Sequence, residues 1–248
     1  IHERLVGSEM CIRDSGYGLT EAPATDSYWF PDYLADLDAL LDTLYPGQTI
    51  DLVGHSMGGN VVMMYAGARP ERIRRLVNLE GFGMPDTRPA QAPGRMAQWL
   101  DEIKATRQGD NDLKTYASAE GVAARLMKTN QRLSQDKAAW LAQHWAKPDA
   151  DGQWRILGDA AHKVINPYLY RAEETLATYA RITCPVLAVE ATDDSLGVWW
   201  KGKYTLDQYH ERLQSVPQVQ IARIDNAGHM LQHDQPEQLA RLLEDFLA

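Results

Sequence analysis

Cysteine, phenylalanine, positive charge and long apolar runs are all scarce in this chain. Only Cys11 and Cys184 occur in 248 residues. That is too few for a disulfide framework, and it makes a reducing cytoplasm the default expectation. Asp and Glu outnumber Lys and Arg by 34 to 25, a formal charge of −9. The clustered basic residues that neutralise phosphates are missing, which argues against a nucleic-acid partner. The longest apolar run, "NVVMMYAGA", is too short to cross a bilayer, so no membrane association is expected. Residues 1–15 lack the apolar stretch and small-residue cleavage site of a secretory signal. No grouping of Cys and His suggests a metal, and no dinucleotide fingerprint suggests an organic cofactor. What remains, 44% hydrophobic and 24% charged residues, is ordinary for a globular protein. The length suits one large α/β domain, or a core with an insertion.

The segment "LVGSEMCIRDS", Leu5 to Ser15, follows neither a helical nor a strand period. It resembles one translated frame of the transposon-end adapter used in preparing sequencing libraries. Residues 1–15 are therefore expected to be a non-native leader, with native sequence starting near Gly16. From there to Phe30, Gly, Pro, Thr, Asp and Ser spell a loop. "PDYLADLDALLDTLYPG" then sets Leu34, Leu37, Leu40, Leu41 and Leu44 on one helical face, with Pro31 in the first turn and Pro46-Gly47 as the stop. "TIDLVGHS" reads as a buried parallel strand, "GGNVVMMYAGARP" as a helix and "RIRRLVNLEG" as a second strand. Residues 83–182 break the alternation with mostly helical patches and one candidate strand, "GQWRIL". Alternation resumes with strand "PVLAVEA", helix "TLDQYHERLQSV", strand "QVQIARI" and helix "PEQLARLLEDFL". Strands separated by helices imply a parallel sheet. The expected core is thus 16–82 with 183–248, and 83–182 an inserted helical cap.

"GHSMG", Gly54 to Gly58, matches G-x-S-x-G between a strand and a helix. A nucleophile on that sharp turn is strained, and Gly54 and Gly58 are expected to be required because side chains there would collide. The turn lifts the Ser56 hydroxyl clear of the sheet, and the Met57 N–H, at the helix N-terminus, is the expected oxyanion donor. Seven histidines could serve as the base. His2 lies in the leader. His55 adjoins the serine on a strand and points to the other face. His144, His162 and His210 fall in helix or cap, and His233 is expected in solvent near a helix. His229, in the loop after the last strand, is the expected base. Its orienting acid is expected where "PVLAVEA" ends in "TDDSLG". Counting from Pro185 favours Asp194; Asp193 is the fallback, and Glu80, ending the preceding strand in "NLEG", is a third candidate.

"GHSMGGNVVMMYA", "RPERIRRLVNLEGFG", the late "DD" and "AGHMLQHDQPE" resemble the motifs of the α/β-hydrolase superfamily, and of its serine hydrolase-like members in particular. The resemblance spans residues 16–248, loosest in the cap. It implies a nucleophile, acid and base at Ser56, Asp194 and His229, although some relatives supply the acid from the position of Glu80. It also implies strands before "GYGLTE", one of them followed by a loop donating a second oxyanion N–H. Nothing upstream of Gly16 matches these, so the chain is expected to be N-terminally truncated, with "EMCIRD" a surrogate strand at best. The implied activity is hydrolysis of a small-molecule carboxylic ester through an acyl-serine, without cofactor. Thioesterase, C–C hydrolase, amidase and perhydrolase share the triad, and an inactive fragment or binding protein is the rival of another class. Trp29, Phe30, Trp199 and Trp200 adjoin sheet-edge loops and are the candidate pocket residues. Trp99, Trp140, Trp145 and Trp154 are expected to pack the cap. A serine at the elbow argues against the dehalogenases and epoxide hydrolases of this fold, which carry Asp there.

Overall fold

A computed structural model describes residues 16–20 and 24–248; the adapter-like leader, Cys11 and the surrogate strand lie outside the described residues. In chain order the regular elements begin with α1 (Phe30–Leu44), β1 (Ile50–His55), α2 (Met57–Ala68) and β2 (Ile73–Leu79). The long stretch that follows holds α3 (Ala92–Arg107), β3 (Thr115–Tyr116), α4 (Ala119–Thr129), α5 (Gln135–Trp145), β4 (Ala146–Pro148), β5 (Trp154–Ile156) and α6 (Ala172–Tyr179). The last third adds β6 (Val186–Ala191), α7 (Ser195–Trp200), α8 (Leu206–Leu213), β7 (Val219–Ile224), α9 (Leu231–Asp234) and α10 (Pro236–Leu247).

β1, β2, β6 and β7 form one parallel sheet in the order β1-β2-β6-β7. Side chains alternate across a strand, and β6 shows what that does when both faces are covered. Val186 and Ala188 enter a core with Met63, Tyr65 and Leu76 on the side of α2. Leu187, Val189 and Ala191 enter a second core with Ile224, Leu231 and Leu239 on the side of α10. All six residues of the strand are buried, which is why its sequence is apolar at every position but Glu190 rather than alternating. Because the strands are parallel, their carboxyl ends share one edge, and the loops after β1, β2, β6 and β7 converge there.

Two expectations for residues 83–182 need correction. The single strand expected at "GQWRIL" is the middle of a three-stranded antiparallel sheet, β3-β5-β4. β4 and β5 form a hairpin whose turn runs from Asp149 to Gln153, with Gly152 at φ 75°. β4 went unread because Lys147 and Pro148 are poor strand formers. Second, the end of the stretch belongs with the sheet: Tyr179 and Ile182 pack in the α2-side core. Gly67 of α2 lies so close that a Cβ would sit 2.3 Å from the Thr178 carbonyl oxygen. The rest of the stretch has its own small core, in which Val122, Leu133, Ala138 and Leu141 join α4 to α5. The run after β6, read as loop, also contains a one-and-a-half-turn helix, α7. Among the described residues, no helix is long and apolar enough to cross a membrane.

Candidate active site

At the carboxyl end of β1 the chain must turn into α2 within one residue. Ser56 makes that turn with φ 56° and ψ −117°, a conformation costing roughly 1–3 kcal/mol for a non-glycine residue. The surroundings enforce it: the Ser56 N–H donates to the Leu79 carbonyl (2.8 Å), and its own carbonyl accepts from the Asn60 N–H (3.1 Å). A Cβ on Gly54 would lie 2.3 Å from the Gly58 carbonyl oxygen, so only glycine fits there. For Gly58 the expected collision is not found, since a Cβ would meet nothing within 4 Å. The second sterically required glycine is Gly59, where a Cβ would fall 2.3 Å from Asn78 Oδ1. Met57 is the first residue of α2, and first-turn N–H groups have no partner within a helix.

β2 ends beside this elbow. Glu80 follows its last residue in a left-handed conformation, φ 55°, and is 2% exposed. Asn78, wholly buried, accepts from the Gly81 N–H (3.0 Å) and donates to the Gly81 carbonyl (2.8 Å), holding the bend around Glu80. The Glu80 N–H donates to the Val189 carbonyl (2.9 Å), and Oε1 accepts from the Ala191 N–H (2.7 Å). Oε2 is left facing His229 Nδ1 at 3.2 Å. On its other side His229 Nε2 lies 2.8 Å from Ser56 Oγ. The ionised carboxylate can only accept, so the neutral ring carries its proton on Nδ1 and presents a bare Nε2 to the serine hydroxyl.

A serine, a histidine and a buried carboxylate therefore stand in line at the carboxyl edge of the parallel sheet. The model of the alpha/beta hydrolase fold family matches residues 15–236. The chain belongs to the α/β-hydrolase family. It is 25% identical over 237 residues to a serine hydrolase-like protein of Danio rerio, covering 94% of this chain and 71% of the relative. It is also 44% identical over 120 residues, 45% of this chain and 36% of the relative, to a cis-3-alkyl-4-alkyloxetan-2-one decarboxylase of Shewanella oneidensis. Among solved structures it is similar to the protein PA1622 of Pseudomonas aeruginosa PAO1, with a TM-score of 0.77 and 26% identity over 94% of this chain and 78% of that one.

Within this α/β hydrolase the structure departs from the expected acid. Asp194 does not meet His229: it caps α7, its Oδ1 accepting from the Gly197 N–H (2.8 Å). Asp193 pairs with Arg132, which donates from Nη2 to Oδ1 (2.9 Å) and from Nη1 to Oδ2 (2.5 Å); that guanidinium holds the Asp193 carboxyl below its usual range. Both acids are claimed by nearer donors, and Glu80, at the end of the strand between β1 and β6, has the short path to the imidazole. The signal was present in the sequence. "LVNLEG" places two polar side chains, Asn78 and Glu80, in a run that is otherwise buried and apolar, and buried polar groups need partners.

The candidate pocket residues separate. Trp199 stands edge-to-face with His229, ring centroids 4.4 Å apart at 84°, and is 47% exposed. Trp200 turns inward and packs against the α2-side core. Trp29 precedes α1 and packs edge-on against Tyr168 (5.3 Å); Phe30 opens that helix. His233, expected in solvent, is half-buried against Trp145 (5.5 Å), and burial lowers its pKa. The loop that carries His229 has two supports that no motif announced. Asp234 Oδ2 accepts from the Gly228 N–H (2.9 Å) while Oδ1 accepts from Asn130 Nδ2 (2.7 Å), and Lys137 Nζ donates to the His233 carbonyl (2.9 Å). Among the described residues, no three His, Cys, Asp or Glu side chains gather as a metal site.

His55, set aside at the sequence level, packs its ring 4.9 Å from that of His229. Burial lowers its pKa from 6.5 to about 4, outweighing the hydrogen bond it makes. The unfolded chain therefore takes up a proton near pH 6.5 that the folded chain refuses until about pH 4. The stabilisation is complete above pH 6.5, falls as pH drops through that interval, and is gone below 4. A drop on the order of 3 kcal/mol is expected from this residue, and His233 acts in the same direction. Glu80, His229 and His233 are the titrating neighbours that face it. Urea unfolding at pH 7.5 and pH 4 measures the loss, and His55→Gln should remove most of it.

Proposed function

We propose that this protein is a serine hydrolase acting on carboxylic esters, with Ser56 as nucleophile, His229 as general base and Glu80 as the acid that orients it. The observation that carries this reading is the Ser56–His229–Glu80 line, with hydrogen-bonding distances of 2.8 and 3.2 Å. Ser56 Oγ attacks the ester carbonyl as its proton passes to His229 Nε2. Glu80, buried beside Nδ1–H, fixes the tautomer and stabilises the imidazolium. The carbonyl oxygen becomes an oxyanion, and the Met57 N–H at the start of α2 is its donor in this reading. Collapse expels the alcohol, which takes its proton from His229, and leaves an acyl-serine. Water then loses a proton to His229, attacks the acyl carbon and releases the acid, and the proton returns to Ser56 Oγ.

The stretch from residue 83 to the start of α6 at Ala172 serves here as a cap over the site. Support comes from its bonds to the base loop and that loop's neighbourhood through Arg132, Asn130 and Lys137. Trp199 forms an apolar wall beside the base. The relative from Shewanella is named as a decarboxylase of an oxetan-2-one, which is a cyclic ester.

A fluorophosphonate tests the nucleophile directly, because it phosphonylates an activated serine with loss of fluoride. One adduct per chain, mapped by peptide mass spectrometry to the peptide containing Ser56, is expected, followed by turnover of p-nitrophenyl esters. No adduct on a chain that is folded by circular dichroism would overturn the proposal. An adduct with turnover confined to thioesters would move the substrate class and keep the mechanism.

A further inference from the structure

We infer that His55 is a positioning residue for the base, pinning the His229 main chain to the nucleophile elbow through a hydrogen bond from its Nε2–H to the His229 carbonyl. This rests on the reading of His229 as the general base. The distance is 2.7 Å, and a carbonyl oxygen can only accept, so the His55 ring must be the donor and its proton must sit on Nε2.

His55 is the last residue of β1 and Ser56 the next in the chain. The element that presents the nucleophile therefore also grips the backbone that presents the base. Alternation along β1 sends the two side chains to opposite sides of the strand, which keeps His55 from serving Oγ. His55 instead meets the main chain of the returning loop at the His229 carbonyl. That loop needs holding. Asn226, three residues before His229, is in a left-handed conformation at φ 53°, and no regular element lies between β7 and α9. Asp234 holds the Gly228 N–H on one side of the base, and His55 holds the His229 carbonyl on the other. Burial keeps the His55 ring uncharged while His229 cycles between neutral and charged forms, so the bond persists through the reaction. A misplacement of about 1 Å at a reacting group costs on the order of 100-fold in rate, and the tie guards against a shift of that size.

The test compares His55→Phe, which keeps a ring and loses the donor, with His55→Gln, whose amide nitrogen can replace Nε2–H. Both are assayed for ester turnover, for the rate of fluorophosphonate labelling and for the pH dependence of kcat/KM. His55→Phe is expected to lower kcat and the labelling rate about 100-fold, with KM within about three-fold and a shifted acid limb of the pH profile. His55→Gln should retain at least a fifth of both rates. A folded His55→Phe with parental kcat overturns the inference, as does an equal loss in both variants, which would mark a packing role. Should His55→Phe fail to fold, ¹⁵N NMR of the imidazoles in the parent decides. A neutral Nε2–H tautomer at His55 is expected, and an Nδ1–H tautomer overturns it. A parent that takes up no fluorophosphonate sinks the proposed function instead, while the tautomer still reads the His55 contact.

Discussion

Glu80→Gln should lower kcat by about 10³–10⁴-fold, while Asp194→Asn leaves it within a few-fold of the parent. The size follows from the tautomer, not from lost charge alone. The amide introduced by Glu80→Gln would keep its oxygen on the Ala191 N–H, where Glu80 Oε1 now accepts at 2.7 Å, and would turn its NH₂ toward His229. An NH₂ facing Nδ1 forces the imidazole to carry its proton on Nε2, and such a ring cannot take the proton of Ser56. Replacing the orienting acid of a serine triad by its amide costs about 10⁴ in turnover for this reason. Asp194→Asn keeps an oxygen to cap α7, where Oδ1 accepts from the Gly197 N–H, and Asn is as good an N-cap as Asp. Steady-state kinetics on one ester, with labelling rates as a second readout, measures both. Parental activity in a folded Glu80→Gln, or a thousand-fold loss in Asp194→Asn, would hand the role back to Asp194.

Gly54→Ala is expected to lower the melting temperature sharply, whereas Gly58→Ala leaves it unchanged or slightly raised. At Gly54 the new methyl would lie 2.3 Å from the Gly58 carbonyl oxygen and 2.6 Å from its carbon. Both are backbone atoms of α2, so no side chain can swing aside, and β1 must separate from the helix it packs against. A cost of about 4 kcal/mol or more is expected for such a clash in a core element, out of a total that is typically about 5–15 kcal/mol. At Gly58 a methyl meets nothing within 4 Å, and exchanging glycine for alanine in a helix gains about 0.5–1 kcal/mol. Thermal melts of the two variants separate the outcomes. The contrast bears on how the elbow motif is read, because the two glycines look equivalent in G-x-S-x-G and only one of them is sterically bound.

Much of this was legible along the chain because it is local. The strand–turn–helix at Ser56, the buried β6 and the loop that carries His229 each follow from residue types within a few positions of one another. The α/β-hydrolase fold and the pairing of Ser56 with His229 could be argued on that basis. The acid could not. Asp193, Asp194 and Glu80 all sit at the ends of apolar strands, and their roles depend on donors that only folding brings near. Arg132, 61 residues before Asp193, comes from the loop between α4 and α5 to engage it. Asp194 turns back on a short helix the sequence hid. Glu80 lies 149 residues from His229, just after a strand that sheet order sets between β1 and β6. The bond from His55 to His229, across 174 residues, was invisible for the same reason. Periodicity and spacing report which face a side chain takes relative to its own element. Which partner waits on that face is decided by strand order and by the competition among donors for each buried oxygen, and those are properties of the tertiary structure alone.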